Sequence, residues 1–423
     1  MKKKIALLLI VALLAGVVAW APPAQEEKVT ISALFMKQAG YQESDIVAMT
    51  NEFQELHPNI DVELTFVSYE ALHDKIVTAA AAKAGTYDVI LLDCIWPAEF
   101  AEAGFLLDVT DRITDEMKED IWPGALQAVT YKGQLYGMPW LNDVLYFYYN
   151  TEMLEQAGFT APPKTWDELM EQSLAMKEKG IVEYPVIEFF AQDEGLTCEF
   201  VLYLFTFGGQ FVDEDNNPLF NSPEGLAAME FMVDGMEKGV YNPASLESTY
   251  EEVRHTFSQG AAAFSFNWAY QLNLANDPAE SQIAGKAEIA LIPGGPGDAS
   301  ATTNGGMGLS IMADSDNPDE AWEYILHMSS KDVQKRYAMN ALPIWSSLFE
   351  DADVVEMQPK LVDLSKEQYK YMQNRPLVPF YSEMSRVLQI EVQSALSGAK
   401  SAEQALADAE ARIKEIKAEY EGS

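Results

Sequence analysis

Asp88-Val89-Ile90-Leu91-Leu92-Asp93-Cys94-Ile95-Trp96 is the stretch that decides the fold. Four apolar residues run without a break between two aspartates. A strand with one solvated face alternates apolar and polar residues, whereas a short continuous run reads as a strand covered on both faces. The residues before it supply the covering layers. Val29 to Met36 is rich in β-branched and apolar residues and reads as a strand. Ile46, Met49, Phe53 and Leu56 follow at helical spacing, and His57-Pro58-Asn59 ends that helix. Ile60 to Val67 reads as a second strand and Tyr69 to Lys83 as a second helix. Strand, helix, strand, helix, strand predicts a parallel α/β sheet. In open sheets of this kind the ligand crevice lies beyond the carboxyl ends of the strands. That rule puts Asp93, Cys94, Ile95 and Trp96 at the mouth of a site.

Outward from this unit, the chain start reads as an export signal. Lys2, Lys3 and Lys4 precede an apolar run from Ile5 to Val18, and Ala19-Trp20-Ala21 offers small residues at cleavage spacing. Residues 1–21 are therefore assigned as a signal peptide, with an uncleaved anchor as the alternative. The run is short for a bilayer span, which takes about 20 apolar residues. The expected location is periplasmic or otherwise extracytoplasmic. The formal charge is −38, and −41 without the three signal lysines. Such a chain gains no counterion-release energy from nucleic acid and is repelled by anionic lipid. Apolar residues make up 48%, which excludes global disorder. Cys94 and Cys198 lie far apart in sequence, with no CxxC and no histidine nearby. Zinc and thiol catalysis are unsupported, and two buried free thiols are preferred to the disulfide that export permits.

Further along, Gln134 to Trp140 and Val144 to Tyr149 are strand-like. Helices are expected at Trp166–Lys179, Glu194–Phe207, Ser222–Lys238 and Tyr250–Gln259, then at Pro318–Met328 and Ser330–Met339. Thr165-Trp166-Asp167-Glu168 has capping-box spacing, which makes Trp166 structural. Leu291 to Gly308 is rich in Gly and Pro and reads as a loop or crossover. Ser382 to Tyr420 reads as one helical stretch with an apolar stripe through Leu388, Val392, Leu396, Ala405, Ile413 and Ile416.

Several segments pair a large aromatic with a small polar residue. They include Asp93 to Trp96, Trp140 to Asp143, Phe266 to Tyr270, Asn304-Gly305-Gly306, and Arg375-Pro376 leading to Phe380-Tyr381. Sugars call for this mixture: one ring face of C–H groups stacks on an aromatic, and the hydroxyl rim needs acceptors and forked donors. Each residue also has an ordinary reading. Trp122, Trp166, Trp322 and Trp345 are assigned to packing. Trp268 stands between a strand and a helix, where stacking on a ligand and packing remain open. Asp143 equally suits a turn, and Gly305-Gly306 an ordinary turn. No nucleophile elbow, zinc helix, dinucleotide loop or P-loop is present, and no catalytic residue, metal site or cofactor is assigned.

In order, these segments resemble a known family. A helix ending Glu52-Phe53 to Pro58, then YDVILLD, then Gly133 to Trp140 as G-x-L-Y-G-x-P-W, are followed by Thr165 to Leu169, Glu194 to Cys198, Ile292 to Gly295, Gly305 to Leu309, Pro318 to Trp322 and Arg375-Pro376. The chain is similar to extracellular solute-binding proteins of ABC importers, in the group that includes maltose- and trehalose-binding proteins. The resemblance implies a type II periplasmic-binding-protein clamshell of two α/β lobes joined by three crossovers. It places them near Trp140–Asp143, Pro293–Ala299 and Ala341–Ser347, with residues 28–141 plus 297–343 in one lobe and 142–296 plus 344–423 in the other. It implies contacts from Gln42, Asp93, Asp143, Glu194, Gly195, Gly305, Gly306 and Arg375, and stacking by Trp268. Trp96 joins this set from its place at the strand end. Gln42 stands where a relative carries a carboxylate, and Leu141 where an aromatic is common. The implied partners are a small carbohydrate and the importer's membrane subunits, with the receptor a monomer. The alternatives are a receptor for glycerol phosphate or a polyamine, or a secreted carbohydrate-active enzyme.

Overall fold

The computed structural model describes residues 28–297 and 299–422. The assigned signal peptide lies outside the described residues. Two sheets organise the chain. The first has five strands in the order Ile60–Val67, Val29–Met36, Val89–Asp93, Met307–Ile311, Met138–Leu141. Its first three strands are parallel, as the opening α/β unit predicts. The strand Val89–Asp93 is buried throughout, which is what its unbroken apolar run requires. The strand Met307–Ile311 returns from far along the chain and pairs antiparallel with both neighbours. It opens at Met307, at the end of the segment read from sequence as loop or crossover, where the sequence lets a strand resume over Gly308 to Ala313. Gly and Pro mark the turns around a strand but do not report that a distant edge is waiting for it.

The antiparallel pairing sets up the site. Met307 lies opposite Asp93 on one side and Leu141 on the other. The carboxyl ends of two strands and the amino end of a third therefore meet at one edge of the sheet. The second sheet runs Val186–Ile187, Phe264–Asn267, Tyr146–Asn150, Ala287–Ala290. Its central strand, Tyr146–Asn150, pairs antiparallel with both neighbours.

The chain crosses between the two bodies three times. Residues 142–145 join Leu141 of the first sheet to Tyr146 of the second. The second crossing comes later than the Gly/Pro pattern suggests. Gly294 still pairs with Thr165 and Gly295 lies against the Thr206 carbonyl, so the passage is completed only near Thr302 to Gly306. There Val144 bridges Asn304, and Thr302 Oγ1 donates to the Leu145 carbonyl at 2.7 Å. The third passage follows the helix Lys331–Arg336, where Asn142 Nδ2 donates to the Pro343 carbonyl at 3.3 Å. These three strips in contact form the hinge of a two-lobed clamshell.

The chain end is helical, as expected, and the structure divides it. The stretch Ser382 to Tyr420 is two helices, Tyr381–Leu396 and Ala402–Glu421, packed on each other. Gly398 takes a left-handed conformation (φ +74°) that ends the first, and Ser401 caps the second by accepting from Gln404 N. A single helix would have left half of its apolar stripe without a surface to cover. Trp166 is structural, as expected: it is buried, and its Nε1 donates to Thr206 Oγ1 at 2.8 Å. Thr165 caps the Trp166–Glu178 helix, but Glu168 reaches back to Lys164 N rather than to Thr165 N.

Candidate functional site

At the edge where Asp93, Met307 and Leu141 meet, facing the other lobe, lies a cavity of about 640 Å³, its open mouth included. One wall carries Asp93 and Tyr69, and the other carries Trp268, Tyr270, Tyr250 and the amino end of the helix Glu194–Thr206. Arg375 and the crossover residues Asp143 and Gly305 complete it.

The structure thus brings together Asp93, Asp143, Glu194, Gly195, Trp268, Gly305 and Arg375 from the sequence-derived set. Three members lie elsewhere. Trp96 is 3% exposed and packs behind the wall, stacked on Tyr69 with ring centroids 5.9 Å apart. The turn after Val89–Asp93 enters the helix Pro97–Glu102 and sends the indole inward, where it also touches His73 and Phe100. Gln42 starts the helix Glu43–Leu56, with its backbone N–H donating to Asp45 Oδ2 at 2.9 Å. Its side of the chain faces a neighbouring polar recess with Asn273, Asp277 and Asn340. Gly306 packs against Ala128, and its N–H donates to Asn304 Oδ1 at 2.8 Å.

The floor of the cavity is a buried polar network. The Arg375 side chain is 2% exposed, and its Nη1 donates to Glu194 Oε1 at 2.5 Å. Its Nη2 donates to the Asn304 carbonyl at 3.0 Å and to Cys94 Sγ at 3.2 Å. Glu194 also accepts from the Tyr381 and Ser385 hydroxyls. Burial raises the Glu194 carboxyl above its usual range, against the opposing pull of Arg375 and these donors. Asp93 sits 3.9 Å from Arg375 and accepts from the Tyr69 hydroxyl at 3.0 Å. Both cysteines are free thiols, and burial pushes each up, away from thiolate chemistry.

Asp143 is set differently. Its Oδ1 accepts from Val144 N at 2.9 Å and Ala269 N at 3.2 Å, and no cation among the described residues pairs with it. Burial lifts it to about 7, outweighing those two backbone donors. The same crossover positions Trp268. Gly305 N–H donates to the Asp143 carbonyl, and a Cβ on Gly305 would sit 2.2 Å from the indole Cζ3. Only glycine lets the ring lie there.

Sequence reasoning missed Tyr69, Tyr250, Asp193 and Gln38, and it left Tyr270 without a role. Tyr69 and Tyr250 each follow a capping residue, Ser68 and Thr249, so the only local signal they carry is a helix start. Asp193 is itself the cap of Glu194–Thr206, accepting from Gly195 N at 2.8 Å, and burial lifts it to about 7. Its adjacency to Glu194 was the available clue.

Comparison with known proteins agrees with this geometry. The family profile described as bacterial extracellular solute-binding protein matches residues 38–335. A probable ABC transporter-binding protein of Deinococcus radiodurans is 34% identical over 287 residues, 66% of this chain and 67% of its own. Among solved structures, maltose-bound MalE3 of T. maritima superposes with a TM-score of 0.86 at 32% identity, over 92% of this chain and all of that one. A solute-binding protein of Thermotoga lettingae, bound with α-D-tagatose, superposes at 0.84 with 27% identity, over 92% of this chain and 100% of that one.

Proposed function

We infer the function from one premise: the chain belongs to the bacterial extracellular solute-binding proteins. It is a solute-binding protein of an ABC importer, not an enzyme, and its family works outside the cytoplasm. From that premise we propose that it captures a sugar, of disaccharide size or near it, between its lobes and delivers it to the importer's membrane subunits. The observation that carries this reading is the cavity itself. Aromatic faces from Tyr69, Tyr250, Trp268 and Tyr270 stand around carboxyl groups at Asp93, Asp143 and Asp193. A pyranose presents C–H faces to the former and hydroxyl donors to the latter. The maltose and tagatose held by two of the similar structures are in keeping with it.

The lobes we propose are residues 28–141 with 307–343, and 142–301 with 344–423, with the second crossing at 302–306 between them, acting as a monomer exported by the signal segment. Contacts to both lobes make closure favourable when ligand is present. A phosphate ligand fits poorly, because among the described residues Arg375 is the only cation lining the cavity and Glu194 already occupies it. A thermal-shift panel of mono- and disaccharides tests the reading. A binding sugar raises the melting point by mass action, by about 2.7 kcal/mol of stability at one hundred times its Kd. A panel in which no sugar shifts the transition rejects the sugar assignment and leaves the receptor role standing.

A further inference from the structure

Hydrogen-bond capacity in the cavity is unevenly divided. The donors are largely committed. Arg375 gives Nη1 to Glu194 and Nη2 to Asn304 O and Cys94 Sγ. Tyr69 gives its hydroxyl hydrogen to Asp93, and Tyr270 gives its own to Glu251 Oε1 at 2.6 Å. Gln38 Nε2 and Arg375 Nε are buried without a partner and remain to donate. Acceptors are in surplus. Asp143 uses only Oδ1 toward the protein, which leaves Oδ2 open. Asp93, Asp193 and Glu194 line the same space, and Arg375 balances one of these four carboxyls.

A carboxylate withdrawn from water without a counter-charge is costly, and the cost falls when a cation arrives with donors of its own. An ammonium brings three donors and no acceptor. It is also attracted to the face of an indole. Asp143 and Trp268 stand together on this account: Asp143 accepts from Ala269 N, one residue past Trp268, and holds Gly305 against the ring.

We propose that the solute is a sugar or polyol carrying a basic amine, its ammonium seated on Asp143 beside the Trp268 ring. This rests on the sugar-receptor reading and narrows it to a cationic class. The titratable groups facing Asp143 are the Tyr146 and Tyr148 hydroxyls from the strand Tyr146–Asn150 and the Tyr369 hydroxyl from the third-crossover side. Burial holds all three well above the neutral range, so they stay uncharged while Asp143 titrates.

Calorimetry with matched pairs tests it: glucose and glucosamine, galactose and galactosamine, mannose and mannosamine, cellobiose and the β-1,4 glucosamine dimer. The expected result is at least tenfold tighter binding of the amino member in one or more pairs. Its advantage should shrink toward unity in Asp143→Asn. In the unaltered chain it should grow about tenfold from pH 5.5 to 7.0 as a carboxyl near 7 loses its proton. Equal or tighter binding of the neutral member throughout overturns the amine and leaves the sugar reading intact. Binding of spermidine with none of the eight sugars overturns both.

Discussion

Trp268 and Gly305 form one unit at the scale of single residues. The indole is partly buried against the second lobe, and its outer edge lies on the Gly305 backbone with no room for a methyl group. Trp268→Ala should lower affinity for the sugar identified by the panel more than tenfold, about 1.4 kcal/mol or more. Gly305→Ala should lower it too, by pushing the ring off the cavity wall while every other contact remains. Calorimetry on both variants checks the pair. Parent-like binding by Trp268→Ala would refute the stacking role. Sequence showed that Trp268 stood between a strand and a helix, and nothing in it distinguished stacking from packing. The deciding contact comes from Gly305, 37 positions along the chain.

At the scale of elements, the helix Glu194–Thr206 does two jobs. Its amino end presents Glu194 and Gly195 to the cavity, and its body is buried, packed on the helices Tyr381–Leu396 and Pro223–Glu237. That body carries Glu199, which is fully buried beside Glu188 of the adjoining strand segment. Tyr203 donates to Glu188 Oε1 at 2.9 Å and pairs with the Tyr241 hydroxyl at 2.8 Å. Burial pushes Glu188 up to about 8, and Glu199 is raised by burial and then by Glu188's charge. The folded pair keeps protons that the unfolded chain gives up above the ordinary value of 4.5, so stability falls as pH rises from there to about 8. The melting temperature should drop from pH 5 to 8.5. Glu188→Gln, which keeps a polar group but has no charge to bury, should flatten that slope. An unchanged slope would show that the pair carries no such linkage. Helix bounds were largely legible from capping residues and apolar spacing, as at Pro223–Glu237 and Tyr250–Ser258. The break at Gly398 was not, because residues on both sides continue a helical stripe and only packing shows that the stripes face each other.

Closure of the whole molecule draws on contacts between lobes, some of them outside the cavity. Ser382, at the start of the helix Tyr381–Leu396, donates to Glu99 Oε2 at 2.8 Å, and Glu99 is also held by His73 Nε2 at 3.0 Å. Arg375 spans the same divide, from Glu194 on one side to Cys94 on the other. Such contacts lower the free energy of the closed state, and ligand affinity follows the fraction of molecules able to close. Ser382→Ala should weaken sugar binding a few-fold, about 1 kcal/mol for one hydrogen bond, although Ser382 lies outside the cavity. Small-angle scattering should show the variant contracting with ligand as the parent does, at higher sugar concentration. Unchanged affinity would mean that this bond does not contribute to closure.

The sequence by itself determined the α/β character, the membership of a receptor family and the absence of catalytic motifs. Those follow from local periodicity and from short segments in a fixed order. It also supplied most of the polar groups: Asp93, Asp143, Glu194 and Arg375 all line the cavity. Tertiary structure alone decided that Trp96 turns inward, that Gln42 opens a helix beside the site, and that Tyr69, Tyr250 and Asp193 join the wall. The physical reason is distance along the chain. A helix cap is settled within four residues, whereas this cavity draws on positions from Met36 to Arg375, brought together by an antiparallel return strand and three crossovers.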